Sequence, residues 1–382
     1  MIKPINFTDV NPINKTYDIK IKKEINLVIS KKDFILGNSL KIFENNFARI
    51  AKSRFAIGCA SGTDALRLAL LSLDLKKNDE VIVPAMTYIS TGLAVLLNNN
   101  KLILADIDEH TGLISIDSII KKITKNTKVI IPVNLYGQKF NLKRLRKLIS
   151  KKIFIIEDSA QSHLAYSCYD CNKKKDYKCC YKEKNEKYAN LSCYSFYPAK
   201  NLGAYGDGGL ITTNSSILNK RLLALRNLGS VKKHQHKYIG LNSRLDTLQA
   251  TILNSKLKIL SKLNNDRREI CSFYDKNLSR IKQIKITNTN PGSSRHLYVI
   301  RTKKRDKMIR YLASKRISCQ IHYPYSLNNI QAFAKKSIGK NDLSKSMLWS
   351  KECVSLPLYP GMMKSDLKRI VKEINNFFKI NK

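Results

Sequence analysis

Lys200 lies in a loop-like run, Ser195-Phe196-Tyr197-Pro198-Ala199-Lys200-Asn201-Leu202-Gly203-Ala204-Tyr205-Gly206-Asp207-Gly208-Gly209. Upstream, Asp158 ends the apolar run Ile153-Phe154-Ile155-Ile156-Glu157-Asp158. A carboxylate closing a buried strand, followed by a lysine on a Ser/Gly-rich loop, fits pyridoxal phosphate chemistry. The lysine amine forms a Schiff base with the cofactor aldehyde. The aspartate keeps the pyridine nitrogen protonated, so that the ring accepts electrons from a carbanion. Either residue alone carries little, because a loop lysine is ordinarily a solvated surface group and this chain has 70 Lys+Arg residues. Ser61-Gly62-Thr63-Asp64 precedes the helical run Ala65 to Leu75. Ser61 or Thr63 can cap that helix, and the free backbone N–H groups at its start attract an anion. A plain cap is the simpler reading of this tetrapeptide; beside Asp158 and Lys200, a phosphate cradle is the better one. Ser195 offers another hydroxyl to the phosphate, its simpler role being that of a buried strand end.

Positioning these groups requires alternating strands and helices. Glu80-Val81-Ile82-Val83 is a short apolar run stopping at Pro84, and residues 87–97 have helical spacing. Strand-like runs follow at 102–107, 128–133 and 153–156, separated by helical patterns at 116–123 and 142–149. Short apolar runs without alternation predict strands buried on both faces, hence a parallel sheet covered by helices. Ligands bind beyond the carboxyl ends of such strands, where Asp158 is expected. A long helix is predicted over 244–263. After it come a strand at 296–300, a helix at 304–315, a strand at 317–323 and a terminal helix at 365–378. Residues 282–295 read as loop.

The 382 residues suffice for two domains and a large core, and 43% hydrophobic content is ordinary for a soluble globular chain. No apolar run approaches a membrane span, and the start Met1-Ile2-Lys3-Pro4-Ile5-Asn6 lacks a signal-peptide core, so a cytoplasmic protein is expected. The net charge of +41 raises nucleic acid, an anionic membrane surface or acidic substrates as partners. The lysines are spread along the chain among Asn and Ile, without a basic arm, and neither nucleic-acid binding nor membrane insertion is expected. Of nine Cys residues, Cys168, Cys171, Cys179, Cys180 and Cys193 fall in one stretch. Cys168-x-x-Cys171 with Cys179-Cys180 has some zinc-ligand character. The surrounding Lys/Tyr/Asp-rich segment contains no His, and an adjacent Cys pair suits a single tetrahedral site poorly. Reduced free thiols and no metal are expected.

The order of motifs resembles the DegT/DnrJ/EryC1/StrS family of sugar aminotransferases. It begins with Gly37 and Phe43-Glu44, then Ser61-Gly62-Thr63-Asp64-Ala65-Leu66, Asp79-Glu80-Val81-Ile82-Val83-Pro84 and Thr87-Tyr88. It continues with Leu135-Tyr136-Gly137-Gln138, Glu157-Asp158-Ser159-Ala160-Gln161-Ser162-His163 and the Lys200 run. Gly240-Leu241-Asn242-Ser243-Arg244-Leu245-Asp246, His322-Tyr323-Pro324 and Ser355-Leu356-Pro357-Leu358-Tyr359-Pro360 close the series. The resemblance implies an α/β chain of the type I fold of pyridoxal phosphate transferases. A large cofactor-binding domain would span 1–255, with a mostly parallel central sheet flanked by helices, and a smaller α+β domain 256–382. It implies Lys200 as Schiff-base lysine and proton shuttle, Asp158 on the pyridine nitrogen, Gln161 near the ring hydroxyl and Tyr88 over the ring face. Gly62, Thr63 and Ser195 would hold the phosphate, and Asn242 would reach the phosphate of a neighbouring subunit in a homodimer. His322 and Tyr323 would line the substrate mouth, while His163 is left without an assigned role. Two departures stand out. The stretch between His163 and Ser195 is longer than usual, and Asn134 stands where the family often has His.

The reaction so implied moves an amino group from glutamate to a nucleotide-linked keto-sugar. The run after Lys200 looks most like the branch that aminates C3, which points to a dTDP-linked 3-keto-6-deoxyhexose. Alternatives are a 4-keto sugar, a UDP-linked sugar or a cyclitol ketone. A non-catalytic basic binding or regulatory protein on the same fold is a further alternative, supported by the charge and opposed by the intact Lys200, Asp158 and Gln161.

Overall fold

The computed structural model describes residues 3–10, 15–166, 188–287, 289–339 and 341–381. Cys168, Cys171, Cys179 and Cys180 lie outside the described residues, whereas Cys193 is buried in a strand. The strands are β1 (Phe55–Cys59), β2 (Glu80–Pro84), β3 (Lys101–Ala105), β4 (Thr127–Ile130), β5 (Phe154–Asp158), β6 (Leu191–Ser195) and β7 (Gly209–Thr213). They continue as β8 (Ser230–Lys232), β9 (Gln235–His236), β10 (Lys285–Ile286), β11 (Tyr298–Arg301), β12 (Ser337–Ile338) and β13 (Cys353–Leu356).

Every residue of β2 and β7 is buried, as expected for strands sandwiched between helix layers. Eight strands form the central sheet in the order β1-β7-β6-β5-β4-β2-β3-β12. The pairs from β6 to β12 are parallel, but β7 runs antiparallel to both β1 and β6. A parallel return from β6 would need a crossover, usually a helix. The Lys200 loop between β6 and β7 forms none, and the chain comes straight back.

One face of the sheet packs on the helices Gly62–Leu71, Ile89–Leu97 and Ser216–Leu225 through Leu66, Ala69, Val81, Val95, Ile156 and Leu222. The other face packs on Ile116–Lys122 and Leu142–Leu148, with Trp349 fully buried among them. A separate core gathers Tyr274, Ile300, Leu312, Val354, Ile374 and Phe377 around the sheet β10-β11-β13.

Three predicted elements differ. The single helix over 244–263 is two, Thr247–Leu257 and Leu260–Leu278, broken at Lys258 and Ile259. The break lets the first helix pack on Phe43 and Phe196 while the second turns Ile270 and Tyr274 into the C-terminal core. Residues 317–323 form no continuous strand; Ile317 bridges Ile5 and Gln320 bridges Ser355 as isolated pairs. The two-residue β10 lies inside the stretch expected to be loop. Among the described residues, no helix is long and apolar enough to cross a membrane.

Behind the strand that ends in Asp158, Glu157 (2% exposed) points to the opposite face and meets Lys139 (6% exposed), with Nζ 2.7 Å from Oε1. Asn134 Nδ2 donates to the same oxygen at 2.8 Å, and Ser192 Oγ donates to the other at 3.0 Å. Asn134 therefore has a defined role: its amide also reaches Ser159 and Ser162, and its oxygen accepts from the Phe140 N–H. Burial pushes the Glu157 carboxyl up, but the Lys139 ammonium and these hydrogen bonds outweigh it and hold the group below the usual carboxylate range. Such a pair is a source of stability above the ordinary carboxylate pKa that is lost as pH falls through the depressed one. Lys139→Met strands a buried carboxylate, a loss of about 3–5 kcal/mol at pH 7. Urea unfolding should show part of that loss recovered at pH 5, where the stranded Glu157 takes up a proton.

Candidate active site

The carboxyl ends of β5 and β6 and the amino end of the helix Gly62–Leu71 open on one cavity of about 530 Å³. Of the residues singled out from the sequence, Gly62, Thr63, Tyr88, Asp158, Gln161, Ser195, Lys200, His322 and Tyr323 all line it. Asn242 does not; it is exposed, paired through the backbone to Asn227 outside its own chain's cavity. His163 is buried beside the rings of Tyr194 and Phe196, at 5.8 and 5.7 Å. Burial and the charge of Lys200 push its imidazole down to about 3, which makes it a neutral packing group.

Ser61 caps the helix, its Oγ accepting from the Asp64 N–H at 3.1 Å. A Cβ on Gly62 would come within 2.5 Å of the Ser195 Cβ, and one on Gly209 within 2.1 Å of the Ser61 carbonyl oxygen. Helix start and β7 start thus meet backbone against backbone, and the small Ser195 side chain at the end of β6 packs directly on Gly62. Thr63 Oγ1 lies 2.7 Å from Ser90 Oγ, which adds hydroxyls to the free N–H groups of the first turn. This bare, polar, positively polarised corner fits a phosphate.

Asp158 is buried, and burial raises its pKa; hydrogen bonds from the Ala160 N–H (3.1 Å) and Thr91 Oγ1 (2.9 Å) and the Lys200 charge work against that rise. Lys200 shows the mirror effect, its amine pushed down to about 8 by burial against the pull of Asp158. A turn fixes its backbone, with the Lys200 N–H on the Tyr197 carbonyl at 2.8 Å. Next to it, Asn201 Nδ2 donates to Asn264 Oδ1 (2.7 Å) and the Ser294 carbonyl (2.8 Å), and its Oδ1 lies 3.0 Å from His296 Nδ1. A partly neutral amine facing a carboxylate that needs a counter-charge fits a pyridine ring carrying an aldehyde. The residues therefore suit pyridoxal phosphate.

Gln161 is held from two sides: its Oε1 accepts from the Tyr136 N–H at 2.6 Å and its Nε2 donates to Tyr323 Oη at 2.9 Å. One amide hydrogen remains for a ligand. Tyr88, 55% exposed, stands at the start of the helix Ile89–Leu97 with its ring 5.6 Å from that of Tyr323. His322 stacks on Phe7 at 5.6 Å and meets Ser355 Oγ through Nδ1 at 2.9 Å. Burial and the Lys200 charge lower its pKa to about 4.

Sequence reasoning missed Thr91, Asn201, His296 and Arg267. Thr91 had a signal, since it falls one helical turn after Thr87 and the two hydroxyls lie 3.0 Å apart. Asn201 follows the lysine directly. His296 and Arg267 had none, because their approach to the cavity depends on how the C-terminal core docks.

The profile of the DegT/DnrJ/EryC1/StrS aminotransferase family matches residues 16–375. A dTDP-3-amino-3,6-dideoxy-alpha-D-galactopyranose transaminase of Aneurinibacillus thermoaerophilus is 37% identical over 98% of this chain and 99% of its own. A UDP-N-acetyl-3-dehydro-alpha-D-glucosamine 3-aminotransferase of Acidithiobacillus ferrooxidans is 32% identical over 92% of this chain and 91% of its own. Among solved structures, S. venezuelae DesV in complex with a ketimine intermediate superimposes with a TM-score of 0.91 at 30% identity, over 98% of this chain and 99% of that one.

The depressed Lys200 value has a direct consequence. Only the neutral amine attacks an aldehyde, and its share grows as pH rises through about 8. Cofactor-free protein should capture pyridoxal phosphate at a rate that climbs from pH 7 to pH 9, followed by visible absorbance. An inflection at the ordinary lysine value would contradict the burial argument.

Proposed function

The chain belongs to the DegT/DnrJ/EryC1/StrS aminotransferase family, as a pyridoxal phosphate-dependent enzyme acting on sugar nucleotides, and we propose that it moves the amino group of glutamate onto C3 of a dTDP-linked 3-keto-6-deoxyhexose. The observation that carries the reading is the pairing of Lys200 with Asp158 at the edge of one cavity, their pKa values shifted in opposite directions. In this reading Gly62, Thr63 and Ser195 hold the phosphate, Asp158 faces the pyridine nitrogen, and the spare hydrogen of Gln161 meets the ring hydroxyl. Tyr88 covers the ring face, and His322 and Tyr323 border the sugar. When bound, the cofactor supplies the electron sink and carries the amino group between donor and acceptor.

The protein's own part is proton management. With the cofactor bound, Lys200 Nζ would serve as the base that takes the proton from the donor's α-carbon and as the acid that delivers it to the neighbouring carbon. Its lowered pKa keeps both forms populated near neutral pH. Asp158 stays charged opposite a cationic ring nitrogen, because a nearby positive charge reverses the effect of burial. Thr91 and Ala160 hold its carboxylate in place for that task.

Support for C3 comes from the relatives named for 3-amino and 3-dehydro sugars, and from the Asn201-Leu202-Gly203-Ala204-Tyr205 run after the lysine. The UDP-linked relative makes a UDP-linked 3-keto sugar the second substrate to assay. NMR of the aminated product decides the regiochemistry. Nitrogen at C3 is the expected result, and nitrogen at C4 with no turnover of any 3-keto sugar would refute it.

Asn242 supports a homodimer with shared sites, since it is exposed away from its own chain's cavity. Each site would combine Lys200 of one subunit with Asn242 of the other. Lys200→Ala should abolish turnover and Asn242→Ala should weaken cofactor retention. Co-expressing the two variants should restore normal sites in the mixed dimers, one per dimer. Mixed protein no better than the separate variants would show that each site is built from a single chain.

A further inference from the structure

His296 is 7% exposed and lines the same cavity as Lys200. Its backbone is spent: the N–H donates to the Tyr136 carbonyl at 3.1 Å, and the carbonyl accepts from Arg267 Nη1 at 3.4 Å. Its Nδ1 lies 3.0 Å from Asn201 Oδ1. Which ring nitrogen carries the hydrogen follows from a chain of buried amides. Asn264 Nδ2 donates to the His163 carbonyl at 2.9 Å, so its Oδ1 faces Asn201. Asn201 Nδ2 lies between that oxygen (2.7 Å) and the Ser294 carbonyl (2.8 Å), both of which only accept. The Asn201 oxygen is thereby turned to His296, and it too only accepts. Nδ1 is therefore the N–H of the ring. Burial and the charges of Lys200 and Arg267 hold the imidazole well below its usual pKa, so it carries one hydrogen and not two. Nε2 is left with a bare lone pair, without a donor among the described residues, as the one group His296 has left for the cavity.

A buried acceptor without a donor is costly until a ligand supplies one. The ligands differ in what they offer. The cofactor phosphate and the carboxylates of an amino acid present acceptors, which a lone pair repels. The nitrogen of the amino acid is the group transferred and must face the cofactor. The ketone and the ring oxygen of a keto-sugar also accept, whereas its hydroxyls donate. Of these hydroxyls, one beside the ketone suits His296 best. The imidazole is bonded to the residue next to Lys200, and among the charges acting on it that of Lys200 is the largest.

We propose that His296 is a specificity-determining residue for the sugar, its Nε2 accepting a hydrogen bond from a hydroxyl on a ring carbon that flanks the ketone. This assignment rests on the sugar aminotransferase reading and deepens it. For a 3-keto sugar the hydroxyl is at C2 or C4. A site built to receive a hydroxyl discriminates against the analogue lacking it, because the buried acceptor is then left unpaired.

The test uses holoenzyme and the reverse sugar half-reaction, in which the 3-amino-sugar nucleotide gives up its amino group, followed by the cofactor's visible absorbance. The substrate is compared with its 2-deoxy and 4-deoxy analogues. For wild-type enzyme, kcat/KM should fall at least tenfold on one of the two. His296→Asn keeps an N–H for Asn201 and removes the acceptor. Its penalty on the full substrate should shrink at least tenfold on that same analogue, which identifies the hydroxyl. If amination occurs at C4 instead, the flanking hydroxyl is that of C3 and the 3-deoxy analogue takes the place of the other two. A second readout does not depend on turnover. Protein labelled with nitrogen-15 in its six histidines should show one ring, lost in His296→Asn or His296→Gln, with hydrogen on Nδ1 and none on Nε2. The Nε2 signal should move toward the protonated range with the full amino-sugar nucleotide and stay in place with the analogue that the wild type disfavours. This readout decides the matter on wild-type protein if the asparagine variant does not fold. Equal penalties with and without the hydroxyl would reduce His296 to a structural role and overturn the inference, as would a hydrogen on Nε2 or an Nε2 signal indifferent to the substrate. Wild-type enzyme that converts no sugar nucleotide would overturn the proposed function and this assignment with it. Wild-type enzyme that converts the substrate and its deoxy analogues equally would overturn this assignment alone.

Discussion

A carboxylate must be kept charged out of water at the end of β5, and much of the surrounding structure serves that requirement. Asp158 cannot rely on solvent, so Thr91 and the Ala160 N–H supply donors and Lys200 supplies a nearby cation. The arrangement is reciprocal. The burial that lifts Asp158 also lowers Lys200, which leaves a carboxylate in need of positive charge beside an amine able to shed it. The neighbouring residue, Glu157, adds to the rise of Asp158, and the Lys139 ammonium on the far face offsets part of that second negative charge. A strand carrying two adjacent acids into the core is tolerable only because the pleat sends them to opposite sides.

The reversed β7 shapes the other half of the site. Because the Lys200 loop forms no crossover, it stays at the carboxyl edge of the sheet, where the helix Gly62–Leu71 begins. Gly62 and Gly209 let three segments converge there, with the small Ser195 side chain against Gly62 and the Ser61 carbonyl against Gly209. The helix start, with its unpaired N–H groups, is thereby set beside the lysine loop. The loop is pinned at its other side by Asn201, which ties it to Asn264 and Ser294. The lysine is thus held from both the sheet and the C-terminal half.

How much of this was legible beforehand follows from the range of the interactions. Strands such as β2 and β5 announce themselves by unbroken apolar runs, and Asp158 and Lys200 by their place at a strand end and on a glycine-rich loop. Ser61 reads as a cap, and is one. The break at Lys258 and Ile259 is invisible locally, because both flanks have helical spacing and only the handover from one core to another demands it. Residues 317–323 look like a strand by composition, yet their partners are Ile5 and Ser355 at the two ends of the chain. Arg267 sits in Asp266-Arg267-Arg268-Glu269, which reads as a solvated helix face; the docking of Leu358 and His296 on it turns one of those charges inward.

The amino-terminal segment ties the first residues to the last third of the chain. Ile5 belongs to the C-terminal core, and its backbone exchanges hydrogen bonds with Arg316 and Ser318. Phe7 lies on His322, and Thr8 and Val10 border the cavity. A ribosome emits this segment well before those partners, at roughly 5–20 residues per second, so it waits for them while the chain between is made. Residues 5–10 are therefore among the last to settle, and the cavity wall closes only after translation has passed the segment that receives them.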